Sequence, residues 1–197
     1  MKKTLFSLLI TIITLTAANA QESFFAIYYS PSIPVGQTNS YIDNSSLRGL
    51  GFEHRHYIDA LLTVGIKFGW QVYNKKLPDY IENFSSGVLY GNQYRYINTY
   101  PIMATVHYHL WPERYFRPYF GGGIGVFNIH RVTEMGLYSS STRSWNFGVS
   151  PEAGVLYDLT PEFNLLAGIN FDYGFKTKDS DAHSALSFKI GIVWVRL

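Results

Sequence analysis

Three groups of residues in this chain have types and spacings that could do chemistry. His107 and His109 alternate as His-x-His. On a strand that spacing puts both imidazoles on one face. Two histidines can begin a metal site, but no third ligand is placed by spacing, so packing is the expected role. Asp181, His183 and Ser184 contain the residue types of a hydrolytic triad within four positions. Closeness along a chain is not triad geometry, because the three groups must meet as nucleophile, base and orienter. The Gly121–Gly125 run, GGGIG, is not followed by Lys and Ser or Thr, and no helix begins there. It therefore does not read as a phosphate loop. No catalytic residue, cofactor site or metal site is expected.

The third group is ionic. Glu53, Arg55, Lys67, Glu152, Asp172 and Lys189 all fall in the middle of period-two segments rather than at their ends. Three acids face three bases, and sharing one interior would let them neutralise one another. A buried unpaired charge is very costly. This charge cluster is expected to be structural.

The elements that would position these groups are strands. Period-two character recurs near 23–35, 46–58, 61–74, 98–111, 116–131, 143–158, 162–176 and 183–197,. In the seventh segment, Phe163, Leu165, Ala167, Ile169, Phe171, Tyr173 and Phe175 form one face. Asn164, Gly168, Asn170, Asp172 and Gly174 lie on the other. Trp145, Phe147, Val149, Ala153, Val155 and Tyr157 give the sixth segment the same character. Aromatics sit towards the ends of the apolar faces and small aliphatics between them, as rings do at the two interfaces of a membrane. Trp70 and Tyr73 are placed in the outer girdle on this reading. Many glycines, among them Gly65, Gly121, Gly154 and Gly168, join the polar set. A narrow eight-stranded barrel filled by side chains needs small residues beside large ones.

Connections after the second, fourth and sixth segments are tight. Those at 36–45, 75–97, 132–142 and 177–182 are longer and polar. Short turns on one side and long loops on the other mark outer-membrane barrels, and an even strand number leaves both termini on the periplasmic side. The expected fold is all-β, an eight-stranded antiparallel up-and-down transmembrane β-barrel. A soluble lipocalin-like barrel is the competing architecture. It would demand outer faces rich in Lys, Glu and Thr, whereas the polar faces here are rich in Gly and Asn.

The chain has 197 residues, 17% of them aromatic and 15% charged, with no Cys. Charged residues usually approach 25%, and a lipid-facing surface accounts for the deficit. Lys2 and Lys3, the apolar run Leu5–Leu15 and Ala18-Asn19-Ala20 form a signal-peptide pattern,. Residues 1–20 are expected to be cleaved, leaving one domain over 21–197. Without the two leader lysines the bases equal the 14 acids, which leaves no nucleic-acid footprint.

The stretches RPYFGGGIGVF (Arg117–Phe127) and FGVSPEAGVLYDLTPEFNLLAGINFDYGF (Phe147–Phe175) resemble the bacterial outer-membrane β-barrel domain family. Its small eight-stranded members are typified by the OmpA membrane domain, OmpX and OmpW. The resemblance is strongest over strands five to seven and extends by pattern over the whole mature chain. The terminal IVWVRL is similar to the family's C-terminal assembly signal, but ends in Leu197 where Phe is usual. The resemblance implies location in the bacterial outer membrane. It also implies contact with outer-membrane lipid and lipopolysaccharide, and recognition by the outer-membrane assembly machinery.

Three functions compete: a structural, surface-exposed envelope component without catalysis; a small pore or hydrophobic-solute channel; and a lipid A-modifying enzyme. The lipid A deacylase barrels are similar in size, but their His-x-Ser strand motif is not found here. The 75–97 loop carries Tyr80, Phe84, Tyr90, Tyr94 and Tyr96. It is expected either to meet an extracellular ligand or to cap the barrel mouth.

Overall fold

The computed structural model describes residues 23–84, 87–178 and 180–196. The leader expected at 1–20 and the terminal Leu197 lie outside them. The strands are β1 (Ser23–Tyr29), β2 (Ser32–Pro34), β3 (Gly49–Tyr57), β4 (Leu62–Phe84), β5 (Gly87–His109), β6 (Phe116–Met135), β7 (Tyr138–Asp158), β8 (Phe163–Gly174) and β9 (His183–Arg196). A short helix, α1 (Gly36–Tyr41), follows β2. All pairings are antiparallel, and β1 pairs with β9 to close the ring.

β1 and β2 are two halves of one stave. Both pair with β9, β1 against Ile190–Arg196 and β2 against Ala185–Ser187. The single first strand expected over 23–35 is thus broken at Ser30–Pro31, where proline has no N–H to give the ladder. Counted by staves, the barrel has eight.

The register can be followed once around the wall. It runs from Phe24 through Arg55, Gly65, Thr105, Gly123 and Ser150 to Asp172, Ala185 and Pro34, ten residues up the stave from its start. The step from Ser150 to Asp172 follows from the flanking pairs and from the Ser150 Oγ–Asp172 Oδ1 hydrogen bond of 2.7 Å. A stagger of this kind goes with strands tilted about 35–45° to the barrel axis.

Parity then decides which side each residue takes. Ile66, Ile102, Ile124, Ile169 and Ile190 are 40–65% exposed on the outer wall. Trp145, Trp70 and Tyr100 lie towards one end of it, and Trp194, Phe163 and Tyr157 towards the other. An unbroken apolar belt of this kind is not found on a protein surrounded by water. Tyr73 does not join the outer girdle: it is fully buried in the lumen. It shares the inward parity of Gln71 and bonds that side chain at 2.9 Å.

The short-turn end is built by local side-chain hydrogen bonds. Asp59 Oδ1 accepts from the backbone N–H of Leu61 at 2.7 Å and of Leu62 at 2.8 Å, an Asx turn. Thr160 Oγ1 accepts from the N–H of Phe163 at 3.1 Å.

At the opposite end two expected loops are not loops. The ladder between β4 and β5 runs to Phe84–Gly87, so most of 75–97 is a protruding hairpin. The ladder between β6 and β7 runs to Met135–Tyr138, closed by Gly136 at φ +58°, a conformation glycine adopts without steric cost. A tilted strand crosses the hydrocarbon in about 9–11 residues, so strands of 20–23 residues pass well beyond it. β3 reaches only to Gln71 of β4, and β8 only to Gly148 of β7. The upper parts of β4–β7 therefore stand above the rim as a four-stranded sheet.

Candidate functional site

The six ionic residues meet in one belt across the lumen. Each is at most 5% exposed. Glu152 is the hub. Its Oε1 accepts from Arg55 Nη2 at 3.0 Å and from the Tyr119 hydroxyl at 2.9 Å, while Lys189 bonds Oε2 and Lys67 lies 3.7 Å from it. Arg55 Nε also donates to Glu53 Oε1 at 2.9 Å, and Lys189 lies 3.7 Å from Glu53 Oε2. Lys67 donates to Ser150 Oγ at 2.7 Å, which donates onward to Asp172 at the same length. Lys67 and Asp172 themselves stand 3.9 Å apart.

Aromatic rings close the belt on the side of the short turns. The Arg55 guanidinium lies 4.5 Å from the Tyr119 ring centroid, and the Lys189 ammonium 4.6 Å from that of Tyr28. These rings belong to an apolar layer with Phe24, Leu156, Leu166 and Val193. The layer needs a glycine at 154, because a Cβ there would lie 2.6 Å from the Tyr119 hydroxyl. Above the belt a second apolar layer holds Ile42, Tyr73, Ile97, Met103, Phe127 and Ile129. The void beside Lys67, Asn170 and Asp172 measures about 10 Å³, about the space one water needs.

His107 and His109 both point into the lumen and are buried. His109 Nε2 shares a hydrogen bond with Thr63 at 3.0 Å, and His107 Nε2 stands 3.8 Å from Glu152. Glu53, His107 and Glu152 bring ligand-type atoms within 4.8 Å of one another, a grouping that spacing along the chain did not reveal. Arg55 and Lys189 already sit against both carboxylates, so a metal ion would enter a place filled by cations.

His183 and Ser184 hold the segment after the first stave in the barrel mouth. Thr38 Oγ1 shares a hydrogen bond with His183 Nδ1 at 3.2 Å and accepts from the Ser184 N–H at 2.8 Å. Ser184 Oγ donates to the Val35 carbonyl at 2.8 Å. With its hydroxyl given to a backbone carbonyl and the imidazole turned to Thr38, the pair has no nucleophile–base contact. Thr38 and Ile42 are fully buried. α1 and Ile42 thus plug the lumen from above.

Fold and interior define a class: a closed antiparallel barrel with an apolar outer belt and a filled polar lumen. The model for the outer membrane protein beta-barrel domain matches residues 6–195, and the chain belongs to that family. Like the family, it resides in the bacterial outer membrane. Among curated proteins no sequence match was found. Similar solved structures include Ail, the attachment invasion locus protein of Yersinia pestis, in complex with the heparin analogue sucrose octasulfate. It is 15% identical, with 89% of this chain and 99% of that one covered at a TM-score of 0.56. Neisserial surface protein A is 15% identical over 88% of this chain and 96% of its own, at TM-score 0.56. OprG from Pseudomonas aeruginosa is 12% identical over 90% and 96%, also at 0.56. At these identities the likeness is one of fold.

Proposed function

We propose that this chain is a sealed, non-catalytic barrel of the outer membrane, with both termini periplasmic and its protruding hairpins presented to the outside. On this reading residues 1–20 are removed on export and 21–197 form the barrel domain. The assembly machinery inserts it among outer-membrane lipid and lipopolysaccharide, and the six belt residues are structural. One observation carries the reading: two apolar layers and a charge-balanced belt fill the lumen, and α1 closes it above. An ion would have to break several buried charge pairs to pass.

The test is planar-bilayer recording on the refolded protein. A silent membrane is expected. Steady single-channel conductance that changes on charge reversal at Lys67 or Glu152 would sink the sealed reading in favour of a pore. Incubation with lipopolysaccharide should leave acyl-chain mass unchanged. A mass loss abolished by Ser184→Ala would make the protein a lipid-modifying enzyme.

A further inference from the structure

The mouth of the barrel holds a recess that the sealed lumen does not explain. It lies on the inward face of the protruding sheet, above α1. Tyr41, Thr133 and Ser140 line both halves of it, one of about 380 Å³ and one of about 250 Å³. Arg95 and Arg131 face it from neighbouring strands. Arg95 pairs across to Thr133, two positions from Arg131, so the two arginines are diagonal neighbours on one face.

Both guanidinium groups lie over the same ring. Arg95 Cζ is 4.9 Å and Arg131 Cζ 6.0 Å from the Tyr41 centroid. Tyr41 is fixed by a 2.5 Å hydrogen bond between its hydroxyl and Thr133 Oγ1. Arg95 also lies 5.4 Å from the Tyr80 ring centroid. Its Nε donates to Gln93 Oε1 at 2.7 Å and its Nη1 to the Tyr41 carbonyl at 3.2 Å. These acceptors are neutral. Among the described residues no carboxylate lies within ion-pair distance of Arg95, whereas Arg131 has Asp181 at 3.9 Å and Lys75 has Asp43 at 2.8 Å.

Two cations are therefore held together beside a tyrosine face and a row of hydroxyls; the one carboxylate lining the Arg95 half, Glu82, is not ion-paired with Arg95 and accepts from Gln93 Nε2 at 3.0 Å. A planar guanidinium matches a tetrahedral oxyanion with two parallel N–H bonds. Tyrosine and hydroxyl groups match the C–H faces and O–H groups of a sugar. We propose that this recess binds a saccharide bearing phosphate or sulfate, with Arg95 as its main anion contact. The proposal rests on the reading of the mouth as outward-facing. The recess opens above the lumen rather than onto the lipid wall. A bound glycan must therefore come from solution or from lipopolysaccharide sugars arching over the rim.

Calorimetry on the full barrel in phosphatidylcholine nanodiscs tests this. The probes are a heparin hexasaccharide, its desulfated form, the phosphorylated core oligosaccharide of lipopolysaccharide and its dephosphorylated form, and inorganic phosphate. At least one charged oligosaccharide should bind saturably, at least tenfold more tightly than its stripped form or phosphate alone. Arg95→Gln should weaken that binding at least tenfold, and Arg95→Lys should restore part of it. Binding of the heparin probe points to a soluble source, and binding of the core probe to the membrane's own glycans. No binding, equal binding of stripped sugar or phosphate, or an unchanged affinity in Arg95→Gln overturns the proposal. Heat-modifiable gel mobility verifies that each variant is folded. The bilayer recording separately tests the sealed lumen, so the two claims fail independently.

Discussion

The belt and the mouth recess lie on the same inward faces of the same strands, yet they treat charge in opposite ways. In the belt, three acids meet three bases away from bulk solvent, and every cation has a carboxylate within 4 Å. At the mouth, Arg95 lies against neutral oxygens and two tyrosine rings, with the Glu82 carboxylate lining the same recess but not ion-paired with it. Parity selects the side of the wall, but depth selects the chemistry. In a low-dielectric interior an uncompensated charge costs several kcal/mol. Beside water the same charge is inexpensive and remains available to a partner.

The largest expected effect follows from breaking the belt at its hub. Glu152→Gln removes the carboxylate that contacts Arg55, Lys67 and Lys189. It leaves three cations facing two acids. The loss should be about 3–5 kcal/mol, the range for a buried pair stripped of one partner. It would be read as a fall in the urea midpoint of the folded, heat-modifiable band. A shift below about 1 kcal/mol would mean that water reaches the belt, and the contrast with the mouth would dissolve.

The second test moves the comparison through the wall. Ile169 and Asn170 are adjacent in β8, one 48% exposed on the outer face and the other buried in the lumen. Ile169→Arg should cost about 2–4 kcal/mol, as cations do at the midplane of a barrel's lipid face. The measurement is reversible folding into phospholipid vesicles. A near-neutral result would place that face in water.

Alternation makes most of this architecture legible in the sequence alone. Phe163–Lys176 assigns its faces residue by residue, and the same parity collects Glu53, Arg55, Lys67, Glu152, Asp172 and Lys189 on the inward side. What alternation could not show was which of the six touch, because contacts across a lumen depend on stagger, and stagger is set by the whole ring. It also failed where lipid ends. In the segment around Lys75, Lys76, Pro78 and Asp79 both faces meet water, so hydrophobic periodicity vanishes while the ladder is interrupted only by a register shift between Leu77 and Tyr80 and then resumes to Phe84. The hairpins therefore read as loops in the sequence. Tyr73 departs from its expected place in the outer girdle for a related reason: near the rim an aromatic suits the interface or the lumen, and composition does not decide between them. The recess is not legible in the sequence because Arg95 and Arg131 meet only through the β5–β6 register above the lipid, and Tyr41 reaches them only through the inward fold of α1.

The smallest effect separates mouth from belt by salt and pH. Asp43 is solvent-exposed, and the hydrogen bond from Lys75 holds its carboxyl below the usual aspartate range. A carboxyl depressed in the folded state stabilises that state above its unfolded pKa. The contribution fades as pH falls through the folded value, which places the change below about pH 4. Exposure and mobile ions keep the effect slight, and about 1 M salt should erase it, since the screening length is then about 3 Å. Carboxyl-detected NMR would show Asp43 titrating below an ordinary aspartate at low salt and returning to normal at high salt. On the sealed reading proposed above, mobile ions do not reach the belt, so the stability lost in Glu152→Gln should scarcely change across the same salt range. If both respond alike, the interior is as wet as the mouth, and its charges cannot be what seals it.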